Sequence, residues 1–333
     1  MSASPWSTKF VASHFLLTEP EPKGGETWNT IPDYWANTRF DAIDVLFISP
    51  FHVKPDDLTL ELGEGAKNLV ERFNWVIRAA RSKNPNIIIV LEQFYHDPDQ
   101  VPSSDFQLFN VDQGKIKTYA DSVASFIESY YNKTLPAVSG SGHVSARIQG
   151  YDVDVEGSTQ EPDLPKILSA VRQSLDTLSQ KLGGPRFSVS ISPAWTDYFD
   201  SSMAKSCDYI NMQNYSGGAE TFPQDYHDAI HGLQQNQLVW GFCSEQPDHS
   251  TPDCQTFSGM KTQAQKIKSG GFVGTYTWRV NSDNHVFENI YQVWLHNLIH
   301  GNTLPDSKPE SLVDKYWPTG GRDANGNVIP NLA

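Results

Sequence analysis

Three carboxylates stand at two-residue intervals in the stretch Q-G-Y-D-V-D-V-E, and they are the side chains best suited to chemistry. Side chains alternate between the two faces of a strand that rises about 3.3 Å per residue, so Asp152, Asp154 and Glu156 would share one face in steps of about 7 Å. Like charges arranged in this way repel each other. The spacing therefore indicates a site that keeps one carboxyl protonated beside ionised neighbours.

The same alternation of acidic and apolar residues is also typical of a strand that faces solvent in an antiparallel sheet. The flanking sequence favours a buried strand. Residues 148–155 lie between two amphipathic helical patterns, as a parallel strand does in a repeating βα unit, and such strands are covered on both faces. A buried row of acids predicts a functional site.

Apolar runs suited to buried strands alternate with amphipathic helices along the chain. Residues 164–182, for example, carry one apolar stripe and are followed by the helix-stopping pair Gly183-Gly184. We predict strands at 10–16, 43–49, 87–93, 148–155, 187–192, 209–214, 238–242 and 272–278. Eight strands with helices between them predict a closed (β/α)₈ barrel, a fold that takes about 250 residues.

The chain shows no segment with the composition of a linker between two folded domains. We expect a catalytic barrel over residues 1–300 and a C-terminal extension, rich in Pro, Gly, Asn and Asp, over 301–333. In such a barrel, functional side chains gather at the carboxyl ends of the strands. The polar and aromatic residues predicted there, beside the acids, are Gln93, Trp195, Gln213, Tyr215 and Trp278.

Each of these aromatic residues, taken alone, could equally be part of the barrel packing. Taken together with carboxylates and amides, they predict a carbohydrate site, because flat aromatic faces stack on the apolar faces of sugar rings while carboxylates and amides bind the hydroxyl groups. The sequence therefore predicts a sugar-binding or sugar-cleaving barrel.

Composition excludes several other classes of function. The chain has 25 basic and 39 acidic residues and a formal charge of −14, so no basic surplus is available for a nucleic-acid backbone. No window approaches the roughly 18 apolar residues of a membrane span. The first residues lack the basic and apolar regions of a signal peptide, which predicts either a cytoplasmic chain or a secreted form whose leader has been removed.

A metal site is not expected from the sequence. The three cysteines are too few for a disulfide framework, although Cys243 and Cys254 are close enough to form one bridge. The chain has no CxxC or HExxH motif, and His227 and His231 lack a convincing third ligand. We therefore expect neither a metal nor another cofactor.

The acid motif resembles the D-G-x-D-x-D-x-E motif on the fourth strand of glycoside hydrolase family 18, the barrel family of chitinases and endo-β-N-acetylglucosaminidases. Two further segments carry the resemblance, N-M-Q-N-Y at residues 211–215 and Y-T-W at 276–278. The order of elements matches over roughly residues 10–300. Three carboxylates of this form on the fourth of eight strands are more specific than a lone short motif.

The resemblance implies a retaining hydrolase of β-linked N-acetylglucosamine that works by substrate-assisted catalysis. Glu156 would be the general acid and base, and the nucleophile would be the carbonyl oxygen of the substrate's own 2-acetamido group. Asp154 would hold the acetamido N–H, and Asp152 would share a proton with Asp154. Tyr215 would align the acetamido oxygen.

Two further roles follow from the same resemblance: Trp278 would form the floor under the reacting sugar, and Gln213 would contact that sugar. Strands seven and eight are separated by few residues, so the α+β insertion of processive chitinases is absent, and the open cleft that results suits endo cleavage. Chitin oligomers and the chitobiose core of N-glycans both remain candidate substrates. Oligomeric state stays open.

The chain departs from the family pattern at two places. Gln149 replaces the first acid, and by parity it lies on the opposite strand face from the ladder. Residues 92–95 read E-Q-F-Y where the family has S-x-G-G, so Phe94 and Tyr95 would narrow the cleft. Glu92 adds a carboxylate that we interpret as salt-bridged or loop-facing, with a catalytic role as the alternative.

These departures leave a second interpretation, a glycan-binding barrel that has lost catalytic turnover. Lectin-like relatives tend to lose the acid at the end of the motif, and Glu156 is present here. The retained acid favours the enzyme.

Overall fold

The computed structural model describes residues 6, 9–63, 67–94, 105–155, 163–184, 186–213, 215, 222–244, 257–282 and 285–303. Several predicted features lie outside these ranges, among them Glu156, Tyr95, Cys254 and most of the C-terminal extension. None of the helices in the described part of the chain is long and apolar enough to cross a lipid bilayer.

Eight parallel strands close into a barrel, as predicted. Each barrel strand pairs with the following barrel strand, and the last strand pairs with the first, which closes the ring. The barrel strands are β1 (Phe10–Leu16), β2 (Val45–Val53), β4 (Ile88–Gln93), β7 (Gly150–Val155), β8 (Ser188–Pro193), β9 (Tyr209–Met212), β10 (Leu238–Cys243) and β11 (Gly274–Trp278).

Three short strands lie outside the barrel. β3 (Leu60–Leu62) pairs with the end of β2 in antiparallel register, with Phe51 opposite Leu62. This pairing extends β2 beyond the predicted end at residue 49. β5 (Thr134–Pro136) and β6 (His143–Ser145) form a separate hairpin.

The described residues form seven α-helices. They are α1 (Val70–Lys83), α2 (Gln113–Tyr131), α3 (Leu164–Leu182), α4 (Met203–Ser206), α5 (Pro223–Ala229), α6 (Phe257–Ser269) and α7 (His285–His300). Four 3₁₀ helices span Asp33–Asn37, Phe40–Ala42, Asp105–Phe109 and Gln235–Gln237. Only 3₁₀ helices join β1 to β2, because the prolines and glycines at positions 20–32 interrupt any longer helical pattern.

Packing around the barrel follows from the alternation of side chains along each strand. Outward positions such as Tyr151 and Val153 belong to the large apolar core between the barrel and the helices. Helix α3 covers part of that core and ends at Gly183, whose φ of 58° is left-handed. Between strands β10 and β11, the described residues contain a single helix, α6, in agreement with the predicted absence of an inserted domain.

The part of the barrel interior nearer the amino ends of the strands is an apolar layer. Its inward-facing members are Phe10, Ala12, Val45, Phe47, Val90, Tyr209, Val239 and Tyr276. Trp6 lies beneath this layer and stacks on Tyr209, with ring centroids 4.2 Å apart and planes 14° apart. Its backbone N–H donates to the Tyr209 hydroxyl at 3.0 Å. Trp6 thereby caps the amino end of the barrel, and the polar side chains lie toward the carboxyl end.

Candidate active site

Asp152 and Asp154 lie on β7 and point into the barrel. Asp152 is opposite Glu92 on β4 and Ser190 on β8, and Asp154 is opposite Ser192. The two aspartates are 0% and 2% exposed. The predicted buried acid ladder is therefore present for its first two members, and Glu156 lies outside the described residues.

The Asp152 carboxylate accepts hydrogen bonds from two neighbouring strands. The Ser190 hydroxyl donates to Oδ1, and the Ser192 hydroxyl donates to Oδ2 at 2.9 Å. Asn211 on β9 donates its side-chain N–H to Oδ1 at 3.0 Å. Because these donors come from strands of the barrel wall, the orientation of Asp152 is fixed before any ligand arrives.

The surroundings of Asp152 change its protonation. Burial, followed by the negative charge of Glu92, raises the pKa of Asp152 from 3.8 to about 7, while Ser190, His14 and Ser192 oppose the rise. The spacing of the ladder predicted an ionised carboxylate beside a protonated one. In the structure, the neighbouring negative charge that acts on Asp152 belongs to Glu92 on β4. A carboxyl that titrates near neutral pH can hold or release a proton under ordinary conditions.

Glu92 is paired with a histidine in the barrel interior. His14 Nδ1 on β1 lies 2.6 Å from Glu92 Oε1. The His14 ring stacks on Phe47, with centroids 4.8 Å apart and planes 20° apart. Glu92 therefore points into the barrel beside Asp152, within ion-pair distance of His14, and does not face a loop.

Asp154 is held by the amide of Gln213. Gln213 Nε2 donates to Asp154 Oδ1 and to the backbone oxygen of Ser192, both at 2.9 Å. Because one amide group binds both acceptors, the Gln213 side chain connects the end of β9 to β8 and to the ladder. The structure thus brings together two of the predicted site residues.

Tyr215 lies at the same end of the barrel and is 5% exposed. Its hydroxyl is 3.2 Å from that of Tyr276, which donates to the backbone oxygen of Met212 at 3.0 Å. Gly241 on β10 leaves room for both rings, because a Cβ there would lie 2.7 Å from the Tyr215 ring and 2.8 Å from the Tyr276 ring. The positions of the two tyrosines depend on this glycine.

Two aromatic rings lie parallel near the end of β11. Phe94, which follows β4, is 5.9 Å from Trp278 between ring centroids, with 10° between the planes. Trp278 also contacts His14, with centroids 5.2 Å apart. Trp195 follows β8 and is 42% exposed at the rim. Phe94 thus occupies space beside Trp278 where the family pattern has a glycine.

Gln93, a predicted sugar-binding residue, does not face the ladder, and the structure places its side chain outside the barrel interior. Its Oε1 accepts hydrogen bonds from the hydroxyls of Tyr119 and Tyr151, the latter at 2.7 Å, on the outer side of the sheet. The reason is strand parity, because Glu92 points inward and its neighbour must point outward. Gln149 points outward as expected and accepts from Arg81 Nη2 at 2.6 Å.

Several residues around Asp152 were not predicted from the sequence to belong to the site. They are His14, Ser190, Ser192, Asn211 and Tyr276. A signal for some of them was available, because S-V-S-I-S at 188–192 and N-M-Q at 211–213 place polar side chains at every second position of strands beside the ladder. His14 gave no such signal within its apolar strand.

No protein-family model and no curated protein matches the sequence. Solved structures with a similar fold include a family 18 chitinase from Cycas revoluta in complex with allosamidin, at TM-score 0.65 and 10% identity, covering 87% of this chain and 99% of that one. A class V chitinase from Nicotiana tobaccum in complex with NAG4 is similar at TM-score 0.59 and 12% identity, over 88% and 99% of the two chains.

A chitinase-like agglutinin from Robinia pseudoacacia is also similar, at TM-score 0.61 and 10% identity, over 86% of this chain and 99% of that one. Both enzymes and a chitinase-like protein thus share this architecture. At identities this low the similarity establishes the fold and leaves activity open. The resemblance drawn from the acid motif is confirmed at that level: the chain has the barrel fold of the glycoside hydrolase family 18 chitinases and chitinase-like proteins.

Proposed function

We propose that this barrel is a retaining endo-glycosidase that cleaves glycans of β-linked N-acetylglucosamine by substrate-assisted catalysis. The observation that carries the proposal is the Asp152–Asp154 pair, buried inside the barrel and held by hydrogen bonds from β8 and β9. Such a pair is costly in a barrel core and useful in a reaction that moves protons and develops positive charge. Chitin oligomers and the chitobiose core of N-glycans are both candidate substrates.

In the first step, Glu156 would donate a proton to the glycosidic oxygen while the bond from that oxygen to C1 breaks. The carbonyl oxygen of the substrate's 2-acetamido group would attack C1 and form an oxazolinium ion. In the second step, Glu156 would take a proton from water as the water attacks C1 and reopens the ring. Two inversions at C1 give net retention of configuration.

Asp154 and Asp152 would have different roles in the reaction. Asp154 would accept a hydrogen bond from the acetamido N–H and would offset the positive charge of the oxazolinium ion. The hydrogen bond from Gln213 that orients Asp154 supports this role. Asp152, whose pKa is raised to about 7, would hold the proton that the two carboxyls share. Tyr215 would align the acetamido oxygen, and Trp278 would form the floor of the sugar site.

The assignment of the chain to parts is proposed with the activity. Residues 1–300 would form the catalytic barrel and 301–333 an extension outside it. Trp195 would stack on a sugar at the rim, and the exposure of its ring at the end of β8 supports this role.

The direct test is incubation with N-acetylglucosamine tetramers and hexamers and with a high-mannose glycopeptide, followed by mass spectrometry. We expect cleavage of at least one substrate, with the β-anomer formed first in ¹H NMR spectra. Glu156→Gln should lose nearly all turnover, whereas the matched exposed variant Glu71→Gln should retain it. Folded protein that cleaves neither substrate would contradict the proposal.

The second candidate function is glycan binding without turnover. The Phe94 ring beside Trp278 favours it, because a bulky side chain at this position reduces the space for a distorted sugar ring. Isothermal titration calorimetry with a tetramer separates the two functions. Saturable binding of an oligomer that stays intact over a day would favour the binding barrel.

A further inference from the structure

Three side chains that commonly bind metals meet at the amino end of the barrel. Asp44 immediately precedes β2, and His296 and His300 lie in α7. One donor atom from each residue lies within 4.8 Å of the other two. The acid ladder points toward the opposite end of the barrel, so this cluster is separate from the proposed active site.

The spacing of the two histidines places them side by side. Residues four apart in a helix share one face, and the rings of His296 and His300 have centroids 4.4 Å apart with 54° between their planes. Each ring directs its Nε2 atom to the Asp44 carboxylate. His300 Nε2 lies 2.7 Å from Oδ2, and His296 Nε2 lies 3.6 Å from Oδ1.

Asp44 is held in place by the first strand. The Val11 N–H donates to Asp44 Oδ2 at 2.8 Å, and the Asp44 N–H donates to the Val11 backbone oxygen at 2.8 Å. A hydrogen bond to a ligating carboxylate is the usual support behind a metal ligand, because it fixes the direction of the oxygen atoms. The cluster therefore has both the donor atoms and a rigid supporting contact.

The distances are close to those of a tetrahedral site. Bonds of about 2.0–2.2 Å from zinc to nitrogen and oxygen place neighbouring donors about 3.3 Å apart. The two donor separations of 2.7 and 3.6 Å lie on either side of that value, so small rotations of the side chains suffice. His296, His300 and Asp44 are 19%, 30% and 30% exposed, which leaves the site open to an ion and to water as a fourth ligand.

We propose that Asp44, His296 and His300 form a binding site for a divalent transition metal, with Zn²⁺ the ion that best suits two imidazoles and one carboxylate. The ion would join the last helix of the barrel to the start of its first two strands. Because the barrel closes where β1 pairs with β11 and β2, a bond at this place stabilises the closed ring. The proposal is independent of any glycosidase activity.

The test uses the full chain after removal of metals with a chelator. Isothermal titration calorimetry with Zn²⁺ should show one saturable equivalent. Co²⁺, used as a spectroscopic probe, should give the visible absorption of a four-coordinate ion. Zinc at about a hundredfold excess over its dissociation constant should raise the melting temperature by about 4 °C.

Three variants identify the ligands. His296→Ala, His300→Ala and Asp44→Asn should each weaken Zn²⁺ binding by about tenfold or more, and they should abolish the rise in melting temperature. The Asp44→Asn variant keeps a side-chain oxygen that can accept the hydrogen bond from the Val11 N–H. It therefore still tests the proposal if a histidine variant folds poorly. The exposed His231→Ala variant is the matched control and should bind as the parent does.

Two results would overturn the proposal. One is the lack of a saturable equivalent of zinc in the parent protein, which would leave the three residues as an ion pair alone. The other is binding that the His296, His300 and Asp44 variants leave unchanged, which would place the ion elsewhere on the chain.

Discussion

His14 Nδ1 lies 2.6 Å from Glu92 Oε1, and the two side chains are 1% and 0% exposed. Burial of two ionisable groups carries a desolvation cost that their attraction does not always offset. The pair adjoins Asp152, whose pKa it influences from both sides: Glu92 raises it and His14 lowers it. We interpret His14 and Glu92 as positioning residues for the ladder.

Glu92→Gln should lower the pKa of Asp152. After burial, the Glu92 charge is the largest cause of the raised pKa, and it outweighs the opposing effect of His14. The ¹³C chemical shift of the Asp152 carboxyl, followed by NMR against pH, measures the change. Glu71→Gln, an exposed substitution of the same kind, should leave that titration unchanged. An unchanged or higher pKa in Glu92→Gln would show that Glu92 does not act on Asp152.

Asp152→Asn should change how stability depends on pH. The native carboxyl has a pKa of about 7 against 3.8 when unperturbed, so the native state binds more protons than the unfolded state between those values. Parental stability should therefore fall, relative to the variant, as pH rises from about 4 to about 7, by at most about 1.4 kcal/mol per pH unit. Above that window the difference should be constant.

Melting temperatures of parent and variant at a series of pH values check this expectation. The exposed Asp197→Asn variant serves as the control for loss of one negative charge. A difference between parent and Asp152→Asn that does not vary with pH would mean that Asp152 titrates at an ordinary value.

Gln213→Leu should reduce activity more than stability. It removes the amide that donates to Asp154 at 2.9 Å. Hydrogen bonds to charged groups contribute about 1.5–3 kcal/mol, so kcat/KM on N-acetylglucosamine oligomers should fall by about 10- to 100-fold. Steady-state kinetics on a chromogenic oligomer measures the loss, and activity within about twofold of the parent would exclude the role assigned to Gln213.

Gln93→Leu should reduce stability more than activity. The Gln93 amide oxygen accepts from two buried tyrosine hydroxyls outside the barrel wall. Its loss leaves Tyr119 and Tyr151 without that acceptor, which should cost about 1–3 kcal/mol in the free energy of unfolding. Thermal unfolding should show this loss while kcat/KM changes little. A large drop in kcat/KM with an unchanged melting temperature would restore Gln93 to the sugar site.

Gly150→Ala should destabilise the barrel through contact with the neighbouring strand. A Cβ at Gly150 would lie 1.8 Å from Ser188 Oγ and 3.1 Å from the Ser188 backbone oxygen. Overpacking of this kind costs about 1–3 kcal/mol. The double variant Gly150→Ala/Ser188→Gly should recover much of the loss, because the nearest clashing atom is gone. Strictly additive effects in a double-mutant cycle would disprove the contact.

The barrel was predictable because its signals are local and repeated. Each strand is an apolar run, and each buried helix such as α3 carries one stripe, so the order of elements could be established from short windows. The ladder was predictable for the same reason, since strand parity alone places Asp152 and Asp154 on one face. Parity also placed Gln149 outside and, applied to β4, would have excluded Gln93.

Contacts between distant strands were not predictable. His14 and Glu92 meet only because barrel closure brings β1 and β4 to a common interior, and no window contains both. The same limit applies to the metal expectation. His296 and His300 lie one helical turn apart, but the third candidate ligand, Asp44, is separated from His300 by 256 positions.

Trp6, stacked on Tyr209 beneath the apolar layer, has a consequence for the movement of water and protons. With one end of the barrel capped, solvent would reach His14 and Glu92 from the carboxyl end, where the ladder lies. A sugar bound at that end would then separate the pair from bulk water.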